Sequence, residues 1–165
     1  MSEIMVDKNA GMNGSFEYTK NGLPVNWLLY TPYTVPEGDF EIMVDTNVFK
    51  DGKQSLKFLV RECSATGGWY SPGFCNEYPA KPGEKYRVTF WVKNDGCQFA
   101  VRIGGVSPNK GKYDTIVDSQ ETIDSWQFYE YHYTIPKEMT RIRIETNILR
   151  PGSFWMDDIR IEKLE

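Results

Sequence analysis

Polar and apolar positions alternate with period two along a series of short runs in this chain. The runs are Phe40 to Asp45, Gln54 to Arg61, Lys85 to Asn94, Gln98 to Gly105, Trp126 to Ile135, Thr140 to Leu149 and Phe154 to Glu162. Val, Ile, Tyr, Phe and Thr dominate them, residues that suit a pleated, half-buried surface. Turn sequences separate the runs: Asp51-Gly52, Pro82-Gly83, Asn94-Asp95-Gly96 and Pro151-Gly152. The one helical candidate is the polar piece from Asp118 to Ser125, a turn or two at most. Many short strands without helices predict an all-β fold. At this length the expectation is a two-sheet antiparallel β-sandwich, a jelly roll, with residues 1–165 forming one domain.

The alternation also assigns faces. Tyr86, Val88, Phe90 and Val92 should point inward, and Arg87, Thr89, Trp91 and Lys93 outward. In the next run Phe99, Val101 and Ile103 go in, and Gln98, Ala100 and Arg102 go out. Tyr129, Tyr131, Tyr133 and Ile135 form a further inward set, leaving Phe128, Glu130 and His132 outside. Ile142, Ile144 and Ile148 read as core, with Arg141, Arg143 and Glu145 as a solvated face. A slip of one residue would invert any of these assignments.

Two acidic motifs lie near the ends: Asn13-Gly14-Ser15-Phe16-Glu17 and Phe154-Trp155-Met156-Asp157-Asp158-Ile159. Each reads as a strand carrying a carboxylate. Strict alternation puts Trp155, Asp157, Ile159 and Ile161 on one face, so Asp157 sits among apolar side chains. A buried carboxylate needs a partner or a metal. If the chain ends meet, Glu17 and Asp157 can share a cation.

Composition narrows the function. The 165 residues carry a net charge of -4, with acids and bases interspersed. No basic stripe suits nucleic acid, and no apolar stretch is long enough to span a membrane. Met1 to Val6 has neither a basic n-region nor an apolar h-region, so it does not read as a signal peptide. Aromatic residues make up 15% of the chain, including ten tyrosines and five tryptophans, more than the core needs. Displayed aromatics in a mildly acidic protein favour flat, uncharged, hydroxyl-rich ligands. Cys63, Cys75 and Cys97 are an odd count. Cys63 and Cys75 could pair, or all three could be reduced, and no CxxC spacing suggests zinc.

The ordered set of motifs resembles a known family. It runs from Asn13-Gly14-Ser15-Phe16-Glu17 through Trp27, Asp51-Gly52-Lys53-Gln54-Ser55-Leu56-Lys57 and Pro82-Gly83-Glu84-Lys85-Tyr86. It continues with Phe90-Trp91-Val92-Lys93, Trp126 and Thr134-Ile135-Pro136, and ends with Trp155-Met156-Asp157-Asp158-Ile159. From Asn13 to Ile161 the chain resembles carbohydrate-binding modules of the galactose-binding-like β-sandwich superfamily, nearest those attached to xylanases and glucanases. The resemblance implies a structural calcium ion tying the terminal strands together. Its ligands would be Glu17, Asp157 and backbone carbonyls near Asp51 and Lys53, a mixture of oxygens that suits calcium. Without the metal, the two carboxylates would bond backbone amides instead.

Sugar recognition needs aromatic rings against pyranose C–H faces and fixed polar groups for the hydroxyls. Trp91 offers a ring. Arg102 and Glu130 offer paired hydrogen bonds, with His132, Phe128 and Gln98 beside them if the strands adjoin. Trp69 and Tyr70 follow two glycines in a loop that can project a ring over a cleft. Trp27, Trp126 and Trp155 read as packing residues. Tyr113 reads as either a ligand contact or a cap on the sheet.

With these residues, the resemblance implies a non-catalytic module that binds a β-glycan such as xylan or β-glucan on one sheet. It would be a monomer in an extracellular protein, targeting an appended glycoside hydrolase. The alternatives are a structural or protein-interaction sandwich of a surface protein, and a polysaccharide lyase using Arg102, His132 and Tyr113. The lone His has no Ser-His-Asp setting, and Glu130 has no second acid on its face for glycoside cleavage.

Overall fold

The computed structural model describes residues 12–165. Met1 to Val6, read above for a leader sequence, lies outside the described residues. Twelve strands follow in order: β1 Thr19–Lys20, β2 Leu23–Pro24, β3 Leu28–Tyr30, β4 Gly38–Asp45, β5 Ser55–Cys63, β6 Gly73–Pro79, β7 Lys85–Asp95, β8 Gln98–Ser107, β9 Lys110–Ser119, β10 Ile123–Thr134, β11 Arg141–Arg150 and β12 Gly152–Leu164. β1 and β2 form a small hairpin. The others form two antiparallel five-stranded sheets, ordered β10-β7-β12-β5-β4 and β3-β6-β11-β8-β9. They pack face to face as a single β-sandwich, as the alternation predicts.

The assigned inward residues form the core. Val88, Phe90, Val92, Phe99, Val101 and Ile103 are fully buried, and Ile142, Ile144 and Ile148 join them. An aromatic chain runs through the middle, from Trp27 against Phe74 to Phe58, Phe154 and Phe99. The inward tyrosines of β10 also join the sheets. The Tyr131 hydroxyl donates to Asp114 at 2.6 Å, and the Tyr133 hydroxyl donates to the Lys112 carbonyl at 2.9 Å. Both partners lie on β9, so each hydroxyl makes a link across to the other sheet that phenylalanine could not.

Four local expectations are corrected. Asp118 to Ser125 contains no helix; its ends belong to β9 and β10. β6 and β9 were not anticipated. β9 is a sheet edge rich in exposed polar residues, and its lysines blunt an open edge, so it shows little alternation. The Asn13–Glu17 motif is a turn rather than a strand, with Asn13 and Phe16 at φ 58° and 59°. Phe16 plugs the core, while the Trp27 indole donates to the Asn13 carbonyl at 3.0 Å. Finally, β12 does not alternate strictly. Its pairing with β7 shifts between Asp157 and Arg160, and Asp158 takes φ 50°. Trp155 and Asp157 therefore share the outer side with Lys57 and Lys93, while Ile159 is buried inward. Such a bulge re-aims a strand's side chains.

All three cysteines are free thiols. Cys63 ends a strand of one sheet and Cys75 faces outward on the other, so the pairing left open by their spacing is not made.

Gly73 is required where β6 meets β11. A methyl group there would stand 2.1 Å from the Thr146 carbonyl oxygen. Gly73→Ala should therefore destabilise the fold by about 3 kcal/mol, the range of overpacking against an unyielding neighbour. An unchanged urea midpoint would show that the strands can spread there.

Candidate functional site

The outer face of the β3-β6-β11-β8-β9 sheet carries an ionic network. Strand β11 lies at its centre, so Arg141, Arg143, Glu145 and Asn147 form an outward row. Along β11 this row is about 20 Å long, at roughly 3.3 Å per residue. Register places Arg102 opposite Glu145 and Glu77 opposite Arg143. Glu145 is only 6% exposed. Its carboxylate accepts from Arg102 at 2.7 Å, from Arg143 at 3.3 Å and from the Tyr30 hydroxyl. Arg143 also donates to Glu77 at 3.1 Å, to the Tyr30 oxygen at 3.0 Å and to the Cys75 sulfur at 3.2 Å.

Burial, then hydrogen bonds to Cys75 and Glu145, pushes the Tyr30 phenol far above its ordinary range, so it remains a donor. Burial likewise raises the Cys75 thiol. Burial works against the charge on Arg143, but the acidic groups around it outweigh burial and hold the guanidinium protonated. Two guanidinium forks are thus fixed around one buried carboxylate, with Arg102 still about a third open to solvent. Fixed forks suit vicinal hydroxyls because little side-chain freedom remains to be lost on binding.

Aromatic rings stand at both ends of this row. At one end, residues Gly68–Tyr70 form a 3-10 turn anchored to Asn147. The Asn147 side chain accepts from the Gly68 amide at 3.0 Å and donates to its carbonyl at 2.8 Å. Gly67 and Gly68 both have positive φ, which permits the tight turn. Trp69 and Tyr70 stack on each other with centroids 4.1 Å apart, and both are exposed. At the other end Tyr113 lies over Gly104, where a methyl group would meet its ring at 2.3 Å. Arg102 packs on that ring, 5.7 Å from its centroid. A hollow of about 520 Å3 opens there, lined by Tyr113, Glu77, Arg141, Arg143 and Val106.

The residues singled out in the sequence divide between two surfaces. Trp69, Tyr70 and Arg102 belong to this face. Trp91, Glu130 and His132 stand on the outer face of the other sheet, because β10 adjoins β7 rather than β8. Arg102, His132 and Tyr113 therefore do not share a site. The row on β11, with Tyr30 and Glu77, is not singled out by the sequence pattern, which reads Arg141, Arg143 and Glu145 as a solvated face. Its signal was an acid and an amide, Glu145 and Asn147, continuing a row of arginines between isoleucines. Pattern alone does not show that Tyr30 and the 67–71 turn cover them.

The terminal acids converge on one turn. Glu17 accepts from the Lys53 amide at 2.9 Å and the Gln54 amide at 3.2 Å. Asp157 accepts from the amides of Lys50 at 2.8 Å, Asp51 at 2.9 Å and Asp158 at 2.8 Å. The two motifs meet here, where the Ile159 amide donates to the Gly14 carbonyl. Burial lifts the Asp157 carboxyl to about 7, against the lowering effect of its amide bonds, and the nearby Asp51 charge adds to the rise. Burial and Asp51 also raise Glu17. Among the described residues, no group of three or more His, Cys, Asp or Glu side chains is placed to hold a metal. Both carboxylates are thus taken up by backbone amides, the arrangement expected without a metal, and Glu17, Asp51 and Asp157 together gather negative charge at this turn.

A family model described as a carbohydrate binding domain matches residues 8–152. No curated protein matches the sequence. Among solved structures, the CBM22-1 xylan-binding domain of Paenibacillus barcinonensis Xyn10C is similar over 92% of each chain, at 17% identity and TM-score 0.65. The CBM22-1-GH10 modules of Clostridium thermocellum xylanase 10B, solved with xylohexaose, align with 92% of this chain and 28% of that one, at 18% identity and TM-score 0.66. The enzymatically active domain of bacteriophage CBA120 tailspike protein 4 aligns with 94% of this chain, at 17% identity and TM-score 0.68. This chain spans about a fifth of that tailspike chain. At these identities the structures establish a shared fold.

Proposed function

Because the chain belongs to the carbohydrate binding domain family, we propose that it is a non-catalytic module binding a β-glycan such as xylan or β-glucan along the β11 row. The observation that carries this reading is the Glu145 network, which fixes Arg102 and Arg143 on a face with exposed aromatic rings at both ends. The rings cover the apolar faces of sugar units, and the guanidinium forks and Glu77 bond the hydroxyls between them. A row about 20 Å long suits several units of a chain. The module works outside the cell as a monomer, holding an appended glycoside hydrolase near its substrate. Modest affinity suffices because tethering raises the effective concentration. A calcium ion held by Glu17, Asp157 and carbonyls of the Asp51–Lys53 turn would neutralise the buried charge and tie the chain ends together.

Affinity gel electrophoresis against a panel of soluble glycans tests the binding. Xylan or mixed-linkage β-glucan should retard the protein, and Trp69→Ala should weaken retention about tenfold, the loss of one stacked ring. No retardation on any glycan would favour a structural or protein-interaction sandwich. A new ultraviolet absorbance on uronate polymers would instead reveal a lyase.

A further inference from the structure

The outer face of the opposite sheet, around β10, β7 and β12, plays no part in that function. Strand register there places Phe128 opposite Trp91, and Glu130 and Arg160 on either side of Thr89. Phe128 is 46% exposed, an unusual position for a phenylalanine on an outer strand face. Its ring lies 4.9 Å from that of Trp91, which is backed in turn by the Lys50 ammonium at 4.2 Å. The bulge at Asp158 interrupts β12 beside these rings and leaves a hollow of about 320 Å3 floored by Thr89.

The polar groups around the hollow are held in pairs. Arg87 bonds Glu162 at 2.8 Å, Arg160 bonds Asp158 at 3.0 Å, and His132 bonds Glu130 at 2.8 Å. Each guanidinium already has its carboxylate, so the hollow offers no surplus positive charge to an anion. It does offer oriented donors and acceptors on both sides of an exposed ring. Oriented polar pairs beside an aromatic platform match a neutral sugar, whose ring has apolar faces and equatorial hydroxyls. Uronate, sulfate and phosphate groups would face Glu130, Asp158 and Glu162, and the nearby cation outside these pairs, Lys50, is turned onto the Trp91 ring.

We propose that Phe128, Trp91 and the paired groups Glu130–His132 and Arg87–Glu162 form a second, weaker glycan site for neutral sugar units on the opposite sheet. It stands apart from the β11 row, with the thickness of the sandwich between them. A module with two opposed sites can bridge neighbouring chains, gaining retention on a dense polysaccharide without a tighter single site.

Disabling the first site isolates the second. Trp69→Ala/Tyr70→Ala, in the full chain, should keep a residual mobility shift on mixed-linkage β-glucan, and adding Phe128→Ala or Glu130→Gln should remove it. Titration with xylohexaose should give two equivalents per chain for the parent protein and one for Phe128→Ala, with unchanged melting temperatures confirming that the variants fold. One equivalent throughout, or residual retention indifferent to Phe128→Ala and Glu130→Gln, would overturn the proposal. So would residual retention on anionic polymers alone. Sedimentation that changes from dimer to monomer in Phe128→Ala, without any effect on glycan, would reassign the face to self-association. Loss of both equivalents in Trp69→Ala/Tyr70→Ala would leave the first site standing and remove the second.

Discussion

Glu145→Ala is expected to remove most of the retention on any glycan that the parent protein binds, leaving only the residual shift of the opposite sheet, and to lower stability by about 3 kcal/mol. Removing one partner of a buried ion pair leaves the other charge uncompensated, typically at a cost of about 3–5 kcal/mol. The lower end applies because Arg102 and Arg143 keep some solvent. The effect on binding follows from geometry. Glu145 is too buried to offer much to a ligand, but it fixes the direction of two guanidinium groups and of Tyr30. Without it, Arg102 and Arg143 must be ordered by the ligand itself, which weakens binding. Glu145→Gln keeps the shape and one acceptor oxygen but loses the charge, so it should recover only part of the stability while retaining glycan poorly. Urea unfolding and affinity electrophoresis on the same variants separate the two effects. Full retention by Glu145→Ala would show that the row on β11 is not the binding surface.

Chelation should have the second large effect. If calcium is bound, EDTA should lower the melting temperature and added calcium should restore it, because a ligand of the folded state stabilises it by an amount that grows with the logarithm of its concentration over Kd. At a hundredfold excess over Kd the stabilisation is about 2.7 kcal/mol. Asp157→Ala should remove that response and also leave the Lys50, Asp51 and Asp158 amides without their acceptor. An orphaned buried donor costs about 1–3 kcal/mol. The variant therefore discriminates between two roles for the acid. A melting temperature indifferent to chelator, together with strong destabilisation by Asp157→Ala, would assign Asp157 to capping the turn without a metal. An unaltered melting temperature in both experiments would remove the site altogether.

The sequence was most legible where one face of a strand is buried. β7, β8 and β11 lie inside the sheets, so apolar side chains recur at every second position and the face assignments follow. It was least legible at the edges and bends. β9 is open to solvent along one side, so its sequence need not alternate. β12 carries a bulge at Asp158 that changes the side of every later residue, and period-two counting has no term for an inserted residue. The terminal acids could be matched to each other because both lie in recognisable turn or strand motifs. The turn that binds them, residues 50–54, was legible through its Asp-Gly-Lys sequence.

The candidate site was legible one residue type at a time. Trp69 and Tyr70 stand out because adjacent aromatics after two glycines serve no packing need. Arg102, Glu130, Trp91 and His132 were each correctly placed on an outer face, but whether those faces are the same one depends on strand order. Arg143 and Glu145 were passed over for a related reason. A charged row on a strand looks the same in sequence whether water or a neighbouring tyrosine covers it.

The sequence by itself determined the all-β class, the inward faces of the long strands and the family motifs, since local periodicity and turn chemistry are properties of neighbouring residues. Only the tertiary structure decided that β11 lies between β6 and β8 and that β10 adjoins β7. Strand order is set by contacts between residues far apart in the chain, where the pattern carries no address. Those contacts bury Glu145, bring Arg102 to it, and leave Trp91 and Phe128 on the opposite side of the sandwich.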